Sequence, residues 1–165
     1  MAHTLEFTIR LPLPREEVFP FFADAFNLER VTPPHLRFKI LSTAPIRLEA
    51  GAQIRYRLSL YRVPFPWTSL ISVWDPPFRF VDQQIRGPYR RWTHSHEFYD
   101  ENGATLIRDH VEYELPLRPF GELAYPLIRH ELEGIFRFRR DSIRGYLLTV
   151  TGHKTAAGRL PEHCR

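Results

Sequence analysis

His94 and His96 stand two residues apart in the segment Gly87-Pro88-Tyr89-Arg90-Arg91-Trp92-Thr93-His94-Ser95-His96-Glu97-Phe98. Read as a β-strand, this segment puts Trp92, His94, His96 and Phe98 on one face and Thr93, Ser95 and Glu97 on the other. Imidazole carries a proton near neutral pH or ligates a metal, and a neighbouring carboxylate fixes its tautomer. Two of them on an otherwise aromatic face need partners, because a buried polar group left unbonded costs about 1 to 3 kcal/mol. Asp82, one segment earlier, and Asp109, one segment later, are the carboxylates placed to serve.

Strand register decides whether they meet. Asn102-Gly103 favours the positive φ values of a type I′ hairpin turn. With those two residues at the turn, Glu101 faces Ala104, Phe98 faces Ile107, His96 faces Asp109, His94 faces Val111 and Trp92 faces Tyr113, all but the first pair on the buried face. For the preceding hairpin, a three-residue turn within Gly87–Arg90 is preferred, pairing Asp82 with His96, Gln84 with His94 and Arg86 with Trp92. The expected result is a row, Asp82, His96, Asp109, across three strands.

Four chemistries suit such a row. It can be a purely structural hydrogen-bond network. It can hold a metal, since His-x-His places two imidazoles about 7 Å apart by backbone, with Asp82 or Asp109 completing the set; that spacing is a weak signal alone, and no metal or other cofactor is expected. It can run acid–base chemistry, with His96 or His94 moving the proton and Asp82 or Asp109 orienting it. No Gly-x-Ser-x-Gly motif or placed cysteine supplies a nucleophile. The preferred reading is an anchor for a bound molecule: Trp92, His94, His96, Asp82, Gln84, Asp109 and Tyr113 line the polar end of a cavity, Tyr56 joins them, and Ile54, Ile135 and Phe136 supply wall or core. His96, His94, Asp82 and Asp109 are also the catalytic candidates. Trp67, Trp92, Tyr56 and Tyr113 suit core packing better than cofactor contact.

The elements that must position these groups are legible in order. Thr4–Arg10 reads as a strand, and Pro14–Asp24 as a short helix with acids in its first turn and Pro20 bending or shifting it. Asn27 can cap a second short helix ending at Thr32-Pro33-Pro34. Leu36–Leu41 and Gln53–Tyr61 read as strands, Pro64–Pro66 as a turn, and Trp67–Asp75, Phe78–Arg86 and Thr105–Leu115 as further strands. From Glu122 to about Val150 the apolar positions Leu132, Ile135, Phe136, Ile143, Leu147 and Val150 recur at helical spacing. Pro126 falls near the start of this helix, and Gly134 suits a close approach to the sheet. Residues 1–150 read as one domain, and residues 151–165 are expected to be a mobile tail.

The chain has 165 residues, enough to bury roughly two thirds of its unfolded surface as one domain. Its formal charge is +4, and of 23 basic residues only Lys39 and Lys154 are lysine. The arginines are scattered and interleaved with acids, so no nucleic-acid partner is expected. Cys164 is the only cysteine, which excludes an intrachain disulfide and suits a reducing compartment. With no leader-like start and no run of about 18 apolar residues, the expectation is a cytoplasmic protein without integral membrane association, monomeric or homodimeric.

One strand, two short helices, six more strands and a long C-terminal helix resemble the helix-grip fold of the START, birch-pollen-allergen and polyketide cyclase superfamily (SRPBCC), over about residues 3–150. Closer words are Asn27-Leu28-Glu29-Arg30-Val31-Thr32-Pro33-Pro34, Phe80-Val81-Asp82-Gln83-Gln84, Gly87 to Phe98 and Asp109-His110-Val111-Glu112-Tyr113-Glu114-Leu115-Pro116. These resemble the bacterial stand-alone cyclase/dehydrase-like branch. The resemblance implies an α+β helix-grip fold: a curved antiparallel sheet of about seven strands wrapped around the C-terminal helix, two short helices after the first strand, and a largely apolar cavity. Members bind lipids, sterols, hormones or polyketides, and a minority catalyse aldol cyclisation, dehydration or hydrolysis. The expected partner is therefore a small hydrophobic ligand, with a cyclase/dehydrase using a His–Asp pair as the second reading. An interaction module whose cavity is filled by its own side chains, 13 phenylalanines among them, is the third.

Overall fold

The structure, a computed structural model, describes residues 1–60, 62–117 and 119–157, with backbone alone from residue 150 onward. Seven strands, β1 (Ala2–Leu11), β2 (Lys39–Ile40), β3 (Gln53–Leu60), β4 (Val63–Asp75), β5 (Arg79–Arg86), β6 (Arg91–Glu101) and β7 (Ala104–Glu114), form one antiparallel sheet in the order β1-β7-β6-β5-β4-β3-β2. Two short helices, α1 (Arg15–Phe22) and α2 (Asn27–Arg30), follow β1, and the long helix α3 spans Tyr125–Ala157. This is the helix-grip α+β architecture implied by the sequence resemblance.

Two apolar clusters fasten the helices to one face of the sheet. Leu132 and Phe136 of α3 join Leu5, Tyr56, Trp67, Trp92 and Val111 in the first. Farther along α3, Ile143 and Leu147 join Val18, Phe19 and Phe21 of α1 with Ile9, Phe98 and Ile107 in the second. The helical spacing of the apolar residues is thus the spacing of the buried stripe. Pro126 sits in the first turn of α3, where its missing N–H has no intrahelical partner to lose. A Cβ at Gly134 would meet nothing within 4 Å, so close approach to the sheet is not what places that glycine. The helix continues seven residues past the end expected for it, and the remainder of the expected tail, 158–165, lies outside the described residues.

Several local readings change. α1 runs through Pro20, which lies on its exposed side, where water can serve the carbonyl one turn earlier. Asn27 is not the cap of α2: Phe26 takes that place, and the Asn27 amide donates to the Phe21 carbonyl at 2.9 Å, tying α2 to the end of α1. The strand expected over Leu36–Leu41 shortens to β2, because Pro34–Leu36 form a 3-10 turn and Arg37 adopts a left-handed φ of 46°. Pro64 and Pro66 lie inside β4 rather than in a turn. They face Ser59 and Arg57 of β3, while β5 pairs with β4 only from Thr68 onward, so the missing N–H groups interrupt no second ladder.

The β6–β7 register is the expected one throughout, with His96 opposite Asp109 and Trp92 opposite Tyr113. Its turn residues take φ of 55° at Asn102 and 84° at Gly103, as type I′ requires. The β5–β6 register differs from the expected one by two residues: Asp82 pairs with His94 and Phe80 with His96. A two-residue slip keeps every side chain on its face. Its cause is a wider loop, held by the Gln84 side chain, whose amide donates to the Tyr89 carbonyl at 2.7 Å and whose oxygen accepts from the Tyr89 N–H at 3.2 Å. No helix among the described residues is long and apolar enough to cross a membrane.

Candidate functional site

A cavity of about 380 Å³ lies between the sheet and α3. Ile54, Leu58, Ile71, Leu132, Ile135 and Phe136 are among its apolar lining, and Tyr56, Ser69, Asp82, His94, His96 and Arg139 form its polar end. Phenylalanine side chains therefore do not fill it. Four consecutive strands supply Ser69 and the histidine–carboxylate cluster at and behind that end. β4 supplies Ser69, β5 Asp82, β6 His94 and His96, and β7 Asp109, each from the inward face of its strand. Trp67, Ser69 and Ile71 face inward by plain alternation along β4, and the register shift at Ile71/Val73, where Ser72 is the extra residue, returns Trp74 to the core beyond them.

The two imidazoles lie side by side, ring centroids 3.8 Å apart, between two carboxylates. On the cavity side, Asp82 Oδ2 is 3.6 Å from His94 Nδ1 and 3.5 Å from His96 Nε2. Behind the rings, Asp109 Oδ1 is 3.4 Å from His94 Nε2 and 2.6 Å from His96 Nδ1. The last contact is short but off the line of an aligned hydrogen bond, so it counts as an ion pair. His94 is the less well served ring, buried with only long approaches to its nitrogens. Phe80 stacks on His96 at 4.2 Å, and Phe136 meets His94 edge-on at 5.4 Å.

A hydrogen-bond chain steadies Asp82. Trp67 Nε1 donates to Ser69 Oγ at 3.1 Å, and Ser69 donates its single proton to Asp82 Oδ1 at 3.2 Å. The 3.0 Å contact between Tyr56 and Ser69 must then run from the tyrosine hydroxyl to the serine oxygen. Burial would keep His96 neutral, but Asp109 and Asp82 outweigh it and raise its pKa. Burial and the charge on His96 together lower that of His94, beyond what Asp109 and Asp82 restore. Both carboxylates are held below their ordinary range, burial being overcome by the imidazoles. Asp82 and Asp109 are thus held ionised, while the surroundings bias His96 toward its protonated form and His94 toward its neutral one. Arg139 brings the charge to balance.

Arg139 and Ser69 are the residues that sequence reading missed. Arg139 reaches the cavity from α3, its Nε buried with no hydrogen-bond partner among the described residues. Burial lowers its pKa against the pull of Asp109, Asp82 and Tyr56. Its place was readable: it falls three residues after Phe136 and four before Ile143, on the apolar stripe. Ser69 alternates with Trp67 and Ile71, which marks it as an inward hydroxyl.

Of the expected ligand-facing set, Trp92, His94, His96, Asp82 and Tyr56 line the cavity, as do Ile54, Ile135 and Phe136. Gln84, Asp109 and Tyr113 do not reach it. Gln84 is committed to the Tyr89 backbone, and Asp109 lies behind the imidazoles. Tyr113 is enclosed by Trp92, Tyr89 and His3, with ring centroids 6.0, 5.7 and 5.4 Å away. Its hydroxyl is buried with no hydrogen bond among the described residues, and burial pushes its pKa up to about 12. Tyr113→Phe is accordingly expected to raise the unfolding free energy by about 1 to 3 kcal/mol. Urea denaturation measures this, and a loss instead would mean that the hydroxyl makes a bond worth keeping.

No protein-family model matches the chain, and no curated protein matches it. Solved structures do. The Zhui aromatase/cyclase from Streptomyces sp. R1128 superposes with a TM-score of 0.75 at 14% identity, over 97% of this chain and 100% of that one. TTHA0849 from Thermus thermophilus gives 0.68 at 19% identity, over 90% and 99%. A norcoclaurine synthase point mutant from Thalictrum, in complex with a transition state analogue, gives 0.68 at 12% identity, over 92% and 97%. These likenesses are of fold: the helix-grip architecture is common to all four chains.

Proposed function

We propose that this protein binds a small, mostly apolar molecule, lipid, polyketide or aromatic in kind, between the sheet and α3, with a polar group of that molecule turned toward Asp82, His94 and His96. The observation that carries this is the cavity itself. At about 380 Å³ it lies within the range of small-molecule sites, and its wall is apolar except at one end. The sequence words quoted above favour the bacterial stand-alone cyclase/dehydrase-like branch of the superfamily. The lone cysteine favours a cytoplasmic setting.

Native mass spectrometry of the freshly purified protein tests the reading, followed by denaturation and identification of what is released. An organic adduct lost on denaturation is the expected result. A bare mass, together with no saturable uptake of the uncharged fluorophore N-phenylnaphthylamine, overturns it.

A second reading, a cyclase or dehydrase, draws on His94. Its ring stands at the cavity wall with neither nitrogen in a short hydrogen bond, free to take a proton from a guest, while Asp82 and Asp109 orient it. Two of the structures of like fold carry catalytic names, aromatase/cyclase and norcoclaurine synthase. His94→Ala that abolishes turnover while affinity stays within a few-fold selects catalysis, whereas equal loss of both selects anchoring.

A further inference from the structure

We infer that Asp82, His94 and His96 form a binding site for one divalent transition-metal ion, zinc above all, at the polar end of the cavity. Each residue offers one ligand atom, and the three atoms lie within 4.8 Å of one another. Ligands about 2.0 to 2.1 Å from an ion stand about 3.4 Å apart at the tetrahedral angle and about 2.9 Å apart in an octahedron. The spacings from Asp82 Oδ2, 3.6 Å to His94 Nδ1 and 3.5 Å to His96 Nε2, match the tetrahedral value.

The surroundings suit a metal as well as the ligands do. Metal-bound histidines characteristically pass their other ring nitrogen to a carboxylate, which fixes the tautomer and raises ligand basicity. Here one carboxylate stands behind both rings as an ion-pair partner: Asp109 Oδ1 lies 3.4 Å from His94 Nε2 and 2.6 Å from His96 Nδ1. The third ligand is held from outside by the Ser69 hydroxyl, bonded to Asp82 Oδ1 and leaving Oδ2 for the ion. His94 gives an independent sign. Its side chain is 4% exposed, and Nδ1, the nitrogen offered to the ion, has Asp82 Oδ2 at 3.6 Å, beyond hydrogen-bond length.

All three ligands line the cavity and Asp109 does not, so the remaining coordination position faces the guest. With neutral imidazoles, Asp82, Asp109 and Arg139 sum to a charge of −1, and a divalent ion turns this to +1. The site then favours a guest with an apolar body and one negatively polarised oxygen, such as a carbonyl, enol or carboxylate. The ion would act there as a Lewis acid. This defines the polar group left open in the binding proposal, but uptake of the ion needs no organic ligand and is measured without one.

The test titrates chelator-treated, tag-free protein with Co²⁺, read by the visible absorption of tetrahedral cobalt, and then displaces it with Zn²⁺. One equivalent is expected. Asp82→Asn and His94→Gln, near-isosteric changes whose folding is checked by near-ultraviolet circular dichroism, should each abolish saturable binding. Asp109→Asn should weaken binding about 10- to 100-fold. No stoichiometric binding overturns the site. So does binding that survives both ligand changes, which would put the ion at a surface pair such as His110–Glu6 or His35–Glu131. Protein that takes up N-phenylnaphthylamine but no ion keeps the cavity reading and loses this one.

Discussion

Asp109→Ala in chelator-treated protein is expected to lower the unfolding free energy by about 3 to 5 kcal/mol at pH 5.5, and by clearly less at pH 8.5. Asp109 is 2% exposed and pairs with both imidazoles. Removing it strands a buried His96 whose burial already opposes charge and whose proton Asp109 does most to hold. The sign follows from linkage. A base whose folded pKa is raised contributes stability that is full below its unfolded value, about 6.5, and is lost as pH rises through the folded value. The Asp109–His96 attraction is therefore complete at pH 5.5 and fades on the alkaline side. His94 runs the other way: kept neutral by burial and by the charge on His96, it makes the fold less stable as pH falls below about 6.5. Asp82 and Asp109 have lowered pKa values, so their contribution stands above about 3.8 and is lost as pH falls through the folded values. Urea denaturation of both proteins at the two pH values measures the difference. Equal losses at both would show that His96 carries no proton in the metal-free fold.

Phe136→Ala is expected to cost about 3 to 5 kcal/mol, the usual cost of removing a buried aromatic ring. Phe136 is 3% exposed, stacks on Phe7 with ring centroids 4.5 Å apart, and carries the Arg139 guanidinium 5.2 Å above its ring. It packs α3 on the sheet in the first apolar cluster, and it is also cavity wall. The void left by alanine therefore opens into the existing cavity instead of forming a sealed hole. A ligand that occupies the enlarged space should return part of the loss, by about 2.7 kcal/mol at a concentration 100 times its Kd. Urea midpoints with and without N-phenylnaphthylamine measure both effects. A penalty that the fluorophore leaves untouched would mean that the ring and the ligand do not share one space.

How legible the site was depends on how local its determinants are. Asn102-Gly103 fixes its own hairpin, so every β6–β7 pair could be read from two residues. The β5–β6 loop is closed by a side chain gripping backbone five positions away, Gln84 on Tyr89, and no turn dipeptide announces that bond. Face survived where register did not, since side-chain alternation is blind to a two-residue slip. Pro64 and Pro66 read as a turn because proline usually ends a ladder, yet here the ladder on one side had not begun. Arg139 shows the opposite limit. Its helical position was plain, and only the void opposite it, which no sequence pattern reports, makes a buried guanidinium meaningful.

Ser69, Asp82, His94, His96 and Asp109 come from four strands that follow one another in the chain and pair in that same order. Each junction is a short closure with little entropy to overcome. β1, which must find β7 across the span from Leu11 to Thr105, and α3, which caps the cavity, are contributed by the two ends of the fold. Sequence distance thus separates the chemistry from its cover. During folding the polar floor can assemble as a local meander before the long-range pieces arrive. In the finished protein the same division leaves the histidines and carboxylates on the sheet and puts Arg139, alone of the polar end, on the helix that covers it.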